Sequence, residues 1–118
     1  MLNVERRNLG TVSLLNLDGN VVIGETGALH DIVQNLPSTT SLMLDLSRVR
    51  MVDAHGLGVL LQLREQSEAR GMHLELTNVS NQLREVFRIT RLDSVFPIRS
   101  AVDYFPVPAM ARQTLVAA

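Results

Sequence analysis

The chain has 118 residues, a length that suits one domain, and its 11 Lys and Arg against 12 Asp and Glu give a formal net charge of −1. This balance provides no basic excess for nucleic acid or anionic lipid, and an aromatic content of 3% provides no base-stacking platform. The absence of cysteine excludes disulfides, thiolate metal sites and cysteine nucleophiles.

Strands are predicted over the first 23 residues. Leu2 to Arg7 is a weak strand candidate, and Gly10 then turns the chain into a Val- and Leu-rich strand at 11–17. Asp18-Gly19 is typical of a turn. Asn20 to Ile23 is a second apolar run, which either stands alone or extends the same strand region.

The next element is predicted to be an amphipathic helix. Thr26 is the candidate N-cap after a glycine-containing loop, and Pro37 closes the element. Apolar side chains recur at helical spacing from Ala28 onwards, namely at Leu29, Ile32, Val33 and Leu36.

A central strand, a loop and a second helix are predicted in the middle of the chain. Residues 41–49, SLMLDLSRV, are nearly all apolar at their centre and indicate a strand covered on at least one face. The stretch MVDAHG then reads as a loop. Leu57 to Arg70 is predicted to be a helix that Gly71 ends, and His73 to Leu76 a further strand.

The last elements are a helix and a short edge strand. Ser80 is predicted to cap a helix with apolar spacing through Phe87. Val95 to Ile98 is predicted to be a strand, with Pro97 placing it at an edge or end. A short helix is expected at Ser100 to Tyr104. Residues 1–105 are assigned to one domain and 106–118 to a C-terminal tail, flexible or docked.

Strands that alternate with helices of this length predict an α/β domain with a mostly parallel or mixed sheet. In such sheets, functional residues often follow the carboxyl ends of the strands. The stretch MVDAHGLGVL, residues 51–60, occupies that position and is the candidate site.

Elementary chemistry limits what this stretch does. No Ser, Thr or Cys stands in the turn, so a nucleophile is absent. His55 as a general base oriented by Asp53 needs an unusual geometry for residues two apart on a turn, and a surface histidine is the simpler interpretation. Asp53 is a good N-cap, and Gly56 and Gly58 permit close backbone approach, either to a neighbouring strand or to a partner protein.

Metal and phosphate sites are not favoured. His30, His55 and His73 are far apart in sequence and have no second ligand at helical spacing. The two glycines at the start of a helix are similar in kind to an anion site, but no P-loop lysine follows and Asp53 repels phosphate. We therefore predict no cofactor and no metal, and a protein that is not an enzyme.

The run from Leu42 to Ile98 resembles the STAS domain of bacterial anti-sigma factor antagonists. The strand end LDLS precedes Asp-x-x-Gly-Leu-Gly, the segment GMHLEL follows the second helix, and REVFRITRLDSVFPI closes the domain. The preceding segment NVVIGETGALHDIVQNL is similar to the corresponding strand–helix segment of that family. This resemblance implies a STAS-like fold, with a four- to five-stranded mixed β-sheet and about four helices mainly on one face.

The resemblance also implies a mechanism, called partner switching. In the family the turn carries a serine that an anti-sigma factor with serine-kinase activity phosphorylates, and only the unphosphorylated antagonist binds that factor. Here Ala54 occupies the phosphoacceptor position and His55 the next one, so the switch cannot operate at residue 54. The residues expected to bind the partner are Asp53, Ala54, His55, Gly56, Leu57, Gly58 and Val59.

Several alternatives stay open at this point. Single STAS domains also serve as scaffolds in signalling complexes and as accessory subunits of lipid-transport ATPases. Phosphorylation at the His55 imidazole is one alternative. Phosphorylation at a hydroxyl outside the turn is another, with candidates at Ser38, Thr39, Ser47 and Ser80. A homodimer is conceivable too, and Val59 and Leu63 are candidate interface residues. The sequence has no signal-peptide core or membrane-length apolar run, so we expect a cytoplasmic protein.

Overall fold

The computed structural model describes residues 2–37 and 41–99. A five-stranded sheet has its strands in sequence order, β1 (Asn3–Leu9), β2 (Val12–Val21), β3 (Ser41–Val52), β4 (His73–Thr77) and β5 (Ile98–Arg99). The β1–β2 pair is antiparallel, and the other neighbouring pairs are parallel. The predicted mixed α/β sheet is confirmed.

Each parallel crossover contains a helix. These are α1 (Gly27–Gln34), α2 (Ala54–Ala69) and α3 (Asn81–Ile89), and a short 3₁₀ helix at Leu92–Ser94 precedes β5. The described residues thus hold three α-helices, slightly fewer than the four expected. The predicted helix at 100–104 and the tail at 106–118 lie outside the described residues, as do Ser38 and Thr39.

The core lies between one face of the sheet and the helices. Leu15 and Leu17 of β2 share this core with alternate residues of β3 and β4 and with the apolar stripes of the helices, and they are almost fully buried. The helical spacing that predicted α1 and α3 therefore marks their buried sides, through Leu29, Val33, Leu83 and Phe87. Met43, whose side chain alternates with those of Leu42 and Leu44, is buried as well, so the centre of β3 is covered on both faces.

The predicted turn at Asp18-Gly19 is wrong, because β2 continues through it to Val21. The register against β3 shifts between Asn16 and Asp18 and again after Gly19, whose φ is 127°. Glycine tolerates this backbone where other residues do not, so the local turn signal is accommodated as an irregularity inside a paired strand. Val21 is thereby carried to the carboxyl end of the sheet, where the candidate site begins.

The predicted cap of α3 and the predicted end of α2 are confirmed, whereas the predicted cap of α1 lacks its side-chain bond. The Ser80 hydroxyl accepts a hydrogen bond from the Leu83 amide at 3.2 Å, and Gly71 follows α2 with a φ of 75°. Thr26 stands at the N-cap of α1 but makes no side-chain cap bond. The last strand is shifted relative to the prediction, because residues 92–94 form a 3₁₀ helix and pairing with β4 begins only at Ile98.

Arg70 links the carboxyl ends of α1 and α2, a contact that sequence patterns do not predict. Its Nη1 donates to the carbonyl oxygen of Val33 at 2.9 Å, and its Nη2 donates to that of Leu36 at 2.6 Å. Carbonyl groups at a helix end lack partners within the helix, so a guanidinium is well suited to satisfy them. This contact fixes the carboxyl end of α1 against that of α2.

Candidate functional site

The loop predicted between β3 and α2 is reduced to one residue. β3 extends to Val52 and α2 begins at Ala54, so Asp53 alone joins them. The predicted helix start at Leu57 is therefore three residues late. Ala54, His55 and Gly56 form the first turn of the helix, and the candidate site is the amino end of α2.

The Asp53 carboxylate holds this turn to its neighbours. Its Oδ1 accepts from the Gly56 amide at 2.7 Å, which is the predicted N-cap bond, and its Oδ2 accepts from the Ile23 amide at 3.1 Å. The Asp53 amide in turn donates to the carbonyl oxygen of Val21 at 3.3 Å. One residue thus ties the start of α2 to the segment that follows β2.

These bonds favour the ionised carboxylate. The Gly56 amide, and after it the Ile23 amide, hold the pKa of Asp53 below its ordinary value. Both carboxylate oxygens accept hydrogen bonds from backbone amides, and the hydrogen bonds described for this segment include none between Asp53 and His55. The His55 side chain is exposed beside the turn.

The two glycines of the turn have different environments. A Cβ at Gly56 would lie 1.8 Å from the carbonyl oxygen of Val21 and 2.8 Å from the carbon of the same group. A Cβ at Gly58 would meet nothing within 4 Å. The sequence allowed these glycines to approach either a neighbouring strand or a partner protein. Gly56 closely approaches a strand, whereas Gly58 leaves the helix backbone accessible at the surface.

The seven residues predicted to bind a partner also differ in exposure. Three are exposed: Ala54, His55 and Gly58. Two are half-buried: Asp53 and Leu57. The remaining two are buried: Gly56 and Val59. The suggestion that Val59 and Leu63 form an interface does not fit, because both side chains pack in the core with exposures of 4% and 0%.

Two exposed apolar side chains flank the turn, and sequence reasoning did not select them. Ile23, whose amide binds Asp53, is 70% exposed, and Met51, two residues before Asp53, is 58% exposed. Among the described residues only Leu9 and Ile89 are comparable large exposed hydrophobics. Strict alternation from the buried Val49 would place Met51 in the core, but the pairing with β2 shifts its register between Gly19 and Asn20, and Val52 packs against the core instead.

Across residues 2–37 and 41–99, no group of three or more His, Asp or Glu could hold a metal ion. No helix in that part of the chain is long and apolar enough to cross a membrane. The site presents at its surface a helix start, the His55 imidazole and the apolar side chains of Ile23 and Met51.

A family model described as Mlab, STAS domain, matches residues 4–99. The chain belongs to the STAS domain family. The match covers every strand and helix described above apart from Asn3, the first residue of β1, and confirms the resemblance seen in the sequence. The predicted domain boundary at residue 105 stays a prediction.

Solved structures share the fold of this STAS domain. An anti-sigma factor antagonist from Mycobacterium paratuberculosis superposes with a TM-score of 0.76 at 21% identity, over 87% of this chain and 89% of that one. A sulfate transporter family protein from Wolinella succinogenes gives 0.72 at 20% identity, over 82% and 84%. The anti-sigma factor antagonist SpoIIAA in its unphosphorylated form gives 0.61 at 16% identity, over 98% and 96%.

The two glycines of this STAS domain are expected to respond oppositely to the same substitution. Gly56→Ala forces the start of α2 away from Val21 and should lower the free energy of unfolding by about 3 kcal/mol or more. Gly58→Ala should raise it by about 0.5–1 kcal/mol, because alanine is the better helix former and the space is open. Urea denaturation measures both, and equal effects would contradict the assigned environments.

Acid denaturation should report the Asp53 bonds. Since the folded-state pKa of Asp53 is lowered, its stabilisation is present above the unfolded-state pKa, about 3.9, and is lost as the pH falls through the folded-state value. Asp53→Asn retains a capping side chain but cannot ionise. Its free energy of unfolding should therefore fall less than that of the wild type as the pH is lowered from about 5 to about 2. Equal losses of stability in the two proteins over this pH range would contradict a stabilising role for the ionised carboxylate.

Proposed function

We propose that this STAS domain is a regulatory binding protein of the anti-sigma factor antagonist type. It docks a protein partner through the start of α2 and the flanking side chains of Ile23 and Met51. The partner is an anti-sigma factor with a serine-kinase-like domain, and the setting is partner switching in the cytoplasm that controls transcription. The observation that carries the proposal is the pairing of a tightly held helix start with two exposed apolar side chains.

The physical case rests on preorganisation. Asp53 fixes the turn through two backbone amides, so little backbone freedom is lost when a partner binds. Gly58 presents bare helix backbone, which lets a partner approach closely. Ile23 and Met51 supply apolar area whose removal from water favours association. A surface of this kind needs no chemistry of its own to bind.

Ala54 decides how such a surface is regulated. It is exposed at the first position of α2, where a phosphorylated serine would place nearly two negative charges in front of the partner. Alanine has no hydroxyl, so the docking surface stays in the form that binds. The protein then acts without a phosphorylation switch at residue 54.

A second candidate function is that of a scaffold or an accessory subunit, either in a signalling complex or in a lipid-transport ATPase. It is favoured by the Mlab description of the matching family model and by the fold shared with a sulfate transporter family protein. The same surface would then dock a subunit of that assembly. Affinity capture from the native cell, with the bound proteins identified by mass spectrometry, separates the two candidates by the class of protein recovered.

Binding should depend on the apolar residues beside the turn. Ile23→Asp should weaken binding to the purified cognate anti-sigma factor by about tenfold or more, because it places a charge in an apolar contact. Ile89→Asp is the matched control, since Ile89 is similarly exposed, 67% against 70%, at the far end of α3. Isothermal titration calorimetry of the three proteins measures the effect, and addition of ATP should not release the wild-type complex.

The proposal is wrong if the Ile23 and Ile89 substitutions weaken binding equally, or if neither does. Circular dichroism of each variant confirms that the fold persists, which is expected because both side chains are largely outside the core. Recovery of a transporter ATPase, with no anti-sigma factor bound, supports the second candidate.

Ala54→Ser should restore the switch. A cognate kinase that binds the wild-type protein should add one phosphate to the variant, and the phosphorylated variant should lose affinity for that kinase. Ala69→Ser, at the exposed carboxyl end of α2, is the control and should stay unmodified. Intact-protein mass spectrometry measures the modification. A kinase that binds the Ala54→Ser variant but leaves it unmodified contradicts the assignment of residue 54.

A further inference from the structure

Among the described residues, β1 is a long edge strand of the sheet. It has seven residues, and within the described part of the chain it pairs with β2 alone. Every residue from Glu5 to Leu9 is exposed. Half of the backbone amides and carbonyls of an edge strand point outward, and these groups can pair with a further strand. The opposite edge, β5, has only two residues and offers far less.

The charges of β1 fall on defined faces. Arg6 lies opposite Leu15 of β2, and Leu15 is in the core, so Arg6 is on the side of the sheet that carries the helices. Glu5 and Arg7 lie opposite Asn16 and Leu14, on the other side. An acid and a base thus stand two residues apart on the same face of the edge strand.

Symmetry restricts how two copies of β1 could pair. Antiparallel strands related by a two-fold axis form one continuous sheet, so residues directly opposite each other must point to the same face. The pairing must therefore be centred on a residue. Centring on Arg6 aligns all seven residues, Asn3 with Leu9 at each end, and places Glu5 of each copy opposite Arg7 of the other.

We propose that β1 is the interface through which two copies of this chain form an antiparallel, two-fold symmetric dimer centred on Arg6. Two complementary Glu5–Arg7 pairs specify the register. The like pair at Arg6 lies on the axis, on the helix side, where Asp31 of α1 lines the same cleft as Arg6 and supplies an opposite charge. Centring on Glu5 or Arg7 instead would set like charges on the axis without these two complementary pairs.

Charged edge strands usually prevent pairing, and that protective role is the competing explanation. The order of the charges favours the dimer. Glu5 and Arg7 would hinder pairing with an unrelated edge strand, but they are complementary to their own copies in the register centred on Arg6. The dimer leaves the start of α2 free, since α2 follows the third strand and not the edge. It does not rest on the proposed function, and either can fail alone.

Charge reversals test the register directly. The full-length wild type should sediment as a concentration-dependent dimer at low ionic strength, and Glu5→Arg or Arg7→Glu alone should raise the dissociation constant by about tenfold or more. An equimolar mixture of the two variants should form a one-to-one heterodimer, because both pairs become complementary again. Analytical ultracentrifugation measures all four samples, and circular dichroism shows that each variant is folded.

Neutralisation of neighbouring arginines provides the matched control. Arg7→Gln should weaken the dimer, whereas Arg6→Gln should strengthen it by removing the like pair on the axis. A protective role predicts instead that both substitutions promote association. A wild type that stays monomeric at millimolar concentration, single reversals that leave the dimer unchanged, or variants that fail to associate when mixed would each overturn the proposal.

Discussion

The hydrogen bonds of the Asp53 carboxylate determine how strand, helix and loop meet at the candidate site. Since no loop separates β3 from α2, the chain must pass from extended to helical backbone at a single residue. Asp53 makes that passage possible by satisfying one amide of the new helix and one amide of the segment after β2. The helix start is thereby pressed against Val21, which leaves room only for glycine at position 56. The position of the exposed surface follows from this constraint.

A consequence is that the family motif contains two kinds of information. Asp53 and Gly56, which match the resemblance, are engaged inside the molecule, and they indicate that the fold is built in the same way. Ala54 and His55, which depart from it, face solvent. Asp53 and Gly56 thus indicate the architecture, whereas Gly58, which also matches, is exposed together with the two positions that differ. Inference of function from the motif depends on the outward-facing positions.

The sequence was sufficient for features in which local and tertiary preferences agree. The apolar spacing of α1 and α3, the caps at Asp53 and Ser80 and the stop at Gly71 are all of this type. It was insufficient where pairing with a neighbour outweighed the local signal. Asp18-Gly19 has the composition of a turn, yet pairing with β3 carries β2 through it. These are effects of tertiary context that propensities do not contain.

The start of α2 was misplaced for a related reason. Gly56 and Gly58, both near the start of α2, lower helix propensity, so the pattern placed the start at Leu57. The close approach of Gly56 to Val21, which requires glycine, becomes apparent only when β2 and α2 are seen together. For the same reason Ile23 was not selected, because its place beside Asp53 depends on a hydrogen bond that spans 30 positions in the chain.

Arg70 has a consequence for the dynamics of the domain. α1 has eight residues, and a helix that short does not persist in water without support. Part of that support is the guanidinium of Arg70, which binds the carbonyl oxygen of Val33 in the last turn of α1 and that of Leu36 just beyond it. Opening of α1 therefore breaks a contact with α2, and we expect the amides of the two helices to exchange their hydrogens in a coupled way. Motions at the carboxyl end of α1 are in this way linked to the helix whose other end forms the candidate docking surface.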